Sequence, residues 1–151
     1  MKKKVYLGEV QLKYKKARTE NRVDIRSSRD AYNVLKGLIG EHIHHQEVFA
    51  VMYLTKSNTI MWTEIINVGS QSSCTVDVKA LVKRALIGGC AAVIVSHNHP
   101  SGKTGPSHND KRMTADIKKG LDYFDISMLD HIIVCDNDYY SFSDNGESSL
   151  S

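Results

Sequence analysis

The sequence predicts a mixed α/β fold: one mixed sheet with helices against it. Three observations lead there. Segments with helical periodicity alternate with segments rich in β-branched and aromatic residues. One continuous apolar run, Cys90–Ser96, suits a strand buried on both faces. No internal repeat, low-complexity linker or domain boundary divides the 151 residues, so one domain spanning 1–151 is expected. A chain of that length buries roughly two thirds of its unfolded surface.

Val5–Tyr14 alternates loosely between charged flanks and predicts an N-terminal strand, followed by polar connection over Arg18–Arg26. Ser27-Ser28 and Asp30 open a helix with Ser28 as N-cap, since Ala31, Val34, Leu35, Leu38 and Ile39 follow at helical spacing. The pattern fades over 40–46. Glu47–Thr55 and Thr59–Val68 read as strands joined at Lys56-Ser57-Asn58. After a Ser/Gly loop at 69–75, Val78–Leu86 reads as a helix that starts near Asp77 and stops at Gly88-Gly89. The strand Cys90–Ser96 leads to a turn-rich loop, Pro100–Pro106, and Ser107 starts a helix running to about Phe124. Leu129–Cys135 and Tyr139–Phe142 form a hairpin around Asp136-Asn137-Asp138, and a polar tail, 143–151, is expected to fray.

Composition narrows the function classes. The longest apolar runs, such as Ala91–Val95, are far too short to span a bilayer, so no membrane role is expected. Three cysteines without close spacing argue against a disulfide framework and for a reducing cytoplasm. The net charge of +3 is uneven: residues 1–30 hold ten Lys/Arg against four Asp/Glu. Such an arm, about residues 1–26, offers weak contact with nucleic acid, or protects an edge strand with lysines.

The chemistry concentrates in His97-Asn98-His99-Pro100, Ser107 and Asp110. A buried strand ending in His-x-His puts both imidazoles on one face, because strand side chains repeat every two residues, and Asn98 points away. Asp110 falls in the first turn of the next helix. Two nitrogens, one oxygen and an open fourth position suit a hydrolytic zinc site. Ser107 and Asp110 also fit a helix capping box, the better reading of that pair alone. Hydrolysis further needs a base, and Glu47 stands at the mouth of an apolar strand.

His97-x-His99, seven residues, Ser107, two residues and Asp110, with Glu47 upstream, resembles the JAB/MPN (JAMM) metalloprotease signature. The wording His97-Asn98-His99-Pro100-Ser101-Gly102 through Pro106-Ser107 to Asp110 is similar to the RadC branch. So are Ser27–Ala31, Val76–Lys79, Leu129–Val134 and Tyr139–Phe142. The resemblance implies a curved mixed sheet flanked by helices, related in architecture to cytidine deaminases. It implies one Zn²⁺ held by His97, His99 and Asp110, with a water in the fourth position. Glu47 would be the general acid/base, Ser107 the oxyanion donor, and a peptide or protein the substrate. RadC proteins commonly carry an N-terminal helix-hairpin-helix domain, for which this chain has no room, so it resembles the short forms found with bacterial mobile elements. A DNA-repair or nucleic-acid role with an auxiliary metal is the alternative. A partner-binding scaffold is a third class, disfavoured because every signature residue is present.

Other motifs carry less. Gly102-Lys103-Thr104 lacks the upstream glycine of a phosphate loop, which would fall at His97. A zinc deaminase needs His-x-Glu and Cys-x-x-Cys, and neither occurs. His42, His44 and His45 sit where a helix end favours cations. Ser72, Ser73 and Cys74 read as loop, His108 as an exposed helix residue, and His131 as a core or cleft-wall histidine.

Overall fold

The structure, a computed structural model, describes residues 11–13, 15, 22–69 and 76–151. Five strands form one sheet: β1 (Val48–Leu54), β2 (Ile60–Val68), β3 (Ala92–Asn98), β4 (Ser127–Val134) and β5 (Tyr139–Ser141). Their order is β2-β1-β3-β4-β5. β3 and β4 run parallel and the other neighbours antiparallel, so the sheet is mixed as predicted. Three helices flank it: α1 (Ser28–Ile39), α2 (Val78–Gly88) and α3 (His108–Asp122).

Strand parity sorts the core into two layers. Ala50, Met52, Leu54, Ala92 and Ile94 face Ala31, Leu35 and Ile39 of α1. Phe49, Val51, Tyr53, Val93 and Val95 face Leu81 and Ala85 of α2 and Ile117 and Leu121 of α3. β1 and β3 are buried along their whole length, which explains why β3 reads as an unbroken apolar run. β3 also extends through Asn98, so His97 lies within the strand and faces the α3 layer.

Local chemistry sets the helix ends. Ser27, not Ser28, caps α1: the Ser27 Oγ accepts from the Asp30 N–H at 3.2 Å, while the Ser28 hydroxyl bonds to Tyr139 and Asp144 across the fold. Asp77 caps α2 by accepting from the Ala80 N–H at 3.1 Å, and Gly89 ends it in the left-handed region at φ 66°. The fading pattern after α1 is a 3₁₀ turn, Gly40–His44.

The tail departs from expectation. Ser148–Leu150 forms a 3₁₀ turn, and Leu150 packs against the α2/α3 layer. Glu147 pairs with Lys111 at 2.9 Å and accepts from the Tyr140 hydroxyl at 2.7 Å. Polar composition masked one apolar anchor and two cross-fold bonds. Of the predicted N-terminal strand, residues 11–13 form no strand and the rest lies outside the described residues, as do Ser72, Ser73 and Cys74. Among the described residues, no helix is long and apolar enough to cross a membrane.

Candidate metal centre

His97 and His99 leave the end of β3 on one face and meet the first turn of α3. Their Nε2 atoms stand 2.9 Å apart. His97 Nε2 lies 3.2 Å from Asp110 Oδ1, and His99 Nε2 lies 3.4 Å from Asp110 Oδ2. Among the described residues, these three form the cluster able to hold a metal ion.

Each side chain is held by local structure. His99-Pro100-Ser101-Gly102 is a β-turn closed by the Gly102 N–H donating to the His99 carbonyl at 2.9 Å. Proline at the second position and glycine at the fourth suit it, and Gly102 needs its freedom at φ 77°. The turn brings the Lys103 carbonyl within 2.6 Å of His99 Nδ1, which donates to it. In the neutral ring the His99 proton is thereby on Nδ1, and Nε2 presents a lone pair. The capping box is also real: Ser107 Oγ accepts from the Asp110 N–H at 3.1 Å, and Asp110 Oδ2 accepts from the Ser107 N–H at 2.7 Å. Capping and convergence on the histidines therefore coexist, since the cap aims the carboxylate.

Electrostatics fit a cation. Burial alone would push the Asp110 carboxyl up, but the adjacent His97 and His99 rings and the Ser107 amide hold it well below the usual carboxylate range. Burial works against charging His99, yet the adjacent Asp110 carboxylate, the Lys103 carbonyl and the charge of Glu47 raise its pKa. The groups facing one another are a bare nitrogen, a second imidazole and both oxygens of a carboxylate. Such a set repels itself unless a proton or a metal cation sits among it. A tetrahedral zinc ion with bonds of roughly 2.0–2.1 Å would separate its ligands by about 3.3 Å. The observed 2.9 Å between the imidazoles, and 3.2 and 3.4 Å from each imidazole to a different oxygen of Asp110, lie close to that spacing.

Glu47, half-buried, directly precedes β1, and its charge reaches His99. Ser107 is exposed beside Asp110. His108 is exposed, as expected.

A family model for the RadC-like JAB domain matches residues 25–147. The chain belongs to the RadC-like JAB domain family. Relatives include a UPF0758 protein of Flavobacterium johnsoniae, 38% identical over 81% of this chain and 52% of its own length. A UPF0758 protein of Coxiella burnetii is 35% identical over 92% of this chain and 61% of its own length. UPF0758 protein YfjY of Escherichia coli K12 is 43% identical over 67% of this chain and 63% of its own length. The chain thus spans between half and two thirds of the length of these relatives. In this RadC-like JAB domain, the metal-ligand candidates lie on the elements where the sequence put them.

Two residues go beyond the sequence reading. Asn98 turns to the opposite face, where its Oδ1 accepts from the Val48 N–H at 2.8 Å. Its Nδ2 donates to the carbonyls of His42, Ile43 and Gln46 at 3.3, 3.2 and 2.8 Å. Asn98 thus clamps the segment that carries Glu47. His131 proves to be a fully buried core histidine, one of the two expected places, but it touches His97 directly, with 2.7 Å between His131 Nε2 and His97 Nδ1. The His-x-His spacing was a signal for Asn98, whose parity is opposite to the ligands. For His131 no spacing rule applied.

Proposed function

We propose that this RadC-like JAB domain is a zinc-dependent metallohydrolase that cleaves amide bonds in a peptide or protein, as a peptidase or isopeptidase. The observation that carries this reading is the convergence of His97 Nε2, His99 Nε2 and the Asp110 carboxylate on one point, within reach of the Glu47 charge. His97, His99 and Asp110 would hold the ion. When bound, zinc supplies a water whose pKa falls to about 7 and an electrophile that polarises a carbonyl.

The chain's residues would do the rest. Glu47 is the general acid/base: it takes a proton as the nucleophile attacks and returns it to the leaving amine. Ser107 Oγ already accepts from the Asp110 amide, so its own proton is free to donate to a developing oxyanion. The choice of an amide substrate rests on the resemblance of the His97–Asp110 pattern to JAMM metalloproteases.

Metal analysis of the purified chain tests the centre. Zinc should be present in the wild type and lost in His97→Ala and Asp110→Ala; equal zinc in all three refutes it. Cleavage of a peptide library tests the chemistry. Glu47→Gln should retain zinc and lose roughly 10²–10⁴-fold in rate, the usual worth of a general base. Surviving cleavage in that variant would remove Glu47 from the role.

A further inference from the structure

We propose that His131 is a positioning residue for the metal centre: together with Thr114 it fixes the proton of His97 on Nδ1, so that His97 Nε2 faces the ion as a bare lone pair. The proposal rests on the reading that His97, His99 and Asp110 hold a metal.

One chain of hydrogen bonds fixes where the protons lie. Thr114, buried on α3, has its Oγ 2.6 Å from the Asp110 carbonyl oxygen and 2.6 Å from His131 Nδ1. A carbonyl oxygen can only accept, so the single hydroxyl proton of Thr114 goes to Asp110. Thr114 Oγ must then accept from His131, which places a proton on His131 Nδ1. His131 is fully buried, its ring stacked on Phe142 at 4.6 Å and edge-on to Phe49 at 6.0 Å. Its two side-chain hydrogen-bond partners, the Thr114 hydroxyl and the His97 imidazole, are not anions, and an imidazolium sealed among aromatic rings would be an uncompensated buried charge, so the ring is neutral and carries that one proton only. His131 Nε2 is therefore bare. The 2.7 Å contact with His97 Nδ1 requires His97 to donate, which leaves His97 Nε2 without a proton.

The result matches His99, which reaches the same state by donating Nδ1–H to the Lys103 carbonyl. In their neutral form both imidazoles thus turn an Nε2 lone pair toward the ion site. The circuit is closed through Asp110, whose carboxylate faces the histidines while its carbonyl anchors Thr114. A sheet irregularity makes the contact possible. Val93 pairs with Met128 but Ile94 pairs with Asp130, so Leu129 is an extra residue in β4. Without it, His131 would lie beside Ser96 and face α1; with it, His131 lies beside Val95 and faces α3.

The test uses the full chain and two readouts. Long-range ¹H–¹⁵N NMR of the metal-free protein should show the His97 proton on Nδ1 in the wild type. His131→Phe, which preserves the aromatic packing, should move it to Nε2 or to a mixture. Zinc competition against a chromophoric chelator should show binding weakened about 10–100-fold in His131→Phe, the usual effect of removing an orienting partner. His131→Gln should restore most of that loss, because its amide oxygen accepts from His97 and its NH₂ faces Thr114. A wild-type spectrum with the His97 proton on Nε2, or His131→Phe binding zinc as tightly as wild type, overturns the proposal. Failure of the wild type to bind zinc would refute the metal reading instead, and the wild-type spectrum would still decide where the proton sits.

Discussion

Asn98→Leu removes the clamp beneath Glu47 while keeping the number and branching of the side chain's heavy atoms. Two of the groups Asn98 satisfies belong to buried residues, the Val48 N–H and the Ile43 carbonyl. His42 is only half-buried and Gln46 is exposed, so water can replace the bond at those two carbonyls. A stranded buried polar group costs about 1–3 kcal/mol, and some relaxation is expected, giving a loss on the order of 3 kcal/mol. For a chain of this size each kcal/mol shifts Tm by about 2–4 °C, so the variant should melt about 6–12 °C lower. Thermal and urea denaturation measure this, and amide exchange reports the clamp itself: the Val48 N–H should exchange faster in the variant than its β1 neighbours. Because Asn98 faces away from His97 and His99, zinc content should change little. A Tm within 2 °C of wild type, or Val48 protection unchanged, would show that the turn holds Glu47 without Asn98.

Gly88→Ala probes the α2 packing: an added Cβ would enter the Trp62 ring, which stacks on Tyr53 at 4.1 Å. Overpacking of this kind costs about 1–3 kcal/mol, and denaturation followed by Trp62 fluorescence should detect it; unchanged stability would mean the indole moves freely. Cys90 has its thiol pushed up to about 11 by burial. Alkylation of Cys90 by iodoacetamide, read site by site by mass spectrometry, should accelerate through that pH range, and a midpoint near 9 would contradict the burial. Asp130 has its carboxyl raised above its ordinary 3.8 by burial, although Ser141, Ser143 and His131 all donate to it. A raised folded-state pKa contributes stability below the unfolded value that is lost as pH rises through the folded one. The stability of wild type relative to Asp130→Asn should therefore fall as pH climbs from below 3.8, and a rising difference would refute the raised pKa.

Much of the centre was legible because its signals are local. His97 and His99 share a face by strand parity, and Ser107 and Asp110 meet within one helical turn. Glu47 was identified as a strand-mouth acid, and only the tertiary fold shows its charge reaching His99. The order of helices and strands from Ser28 onward followed from periodicity, with errors confined to boundaries such as the cap at Ser27 and the end of β3. The tail was misread because its order comes from Glu147 and Leu150 reaching distant partners, and composition carries no record of such reach.

Residue types and spacing along the chain were enough to mark His97, His99 and Asp110 as candidate ligands, while the roles suggested for Glu47 and Ser107 came from the family resemblance. Only the tertiary structure decided how those residues are supported. The Asn98 clamp on the Glu47 segment and the contact of His131 with His97 depend on register between strands. In β4 a single extra residue, Leu129, turns His131 from the α1 face to the α3 face. A period-two pattern reports which residues share a face, but pairing with the neighbouring strand selects which face that is.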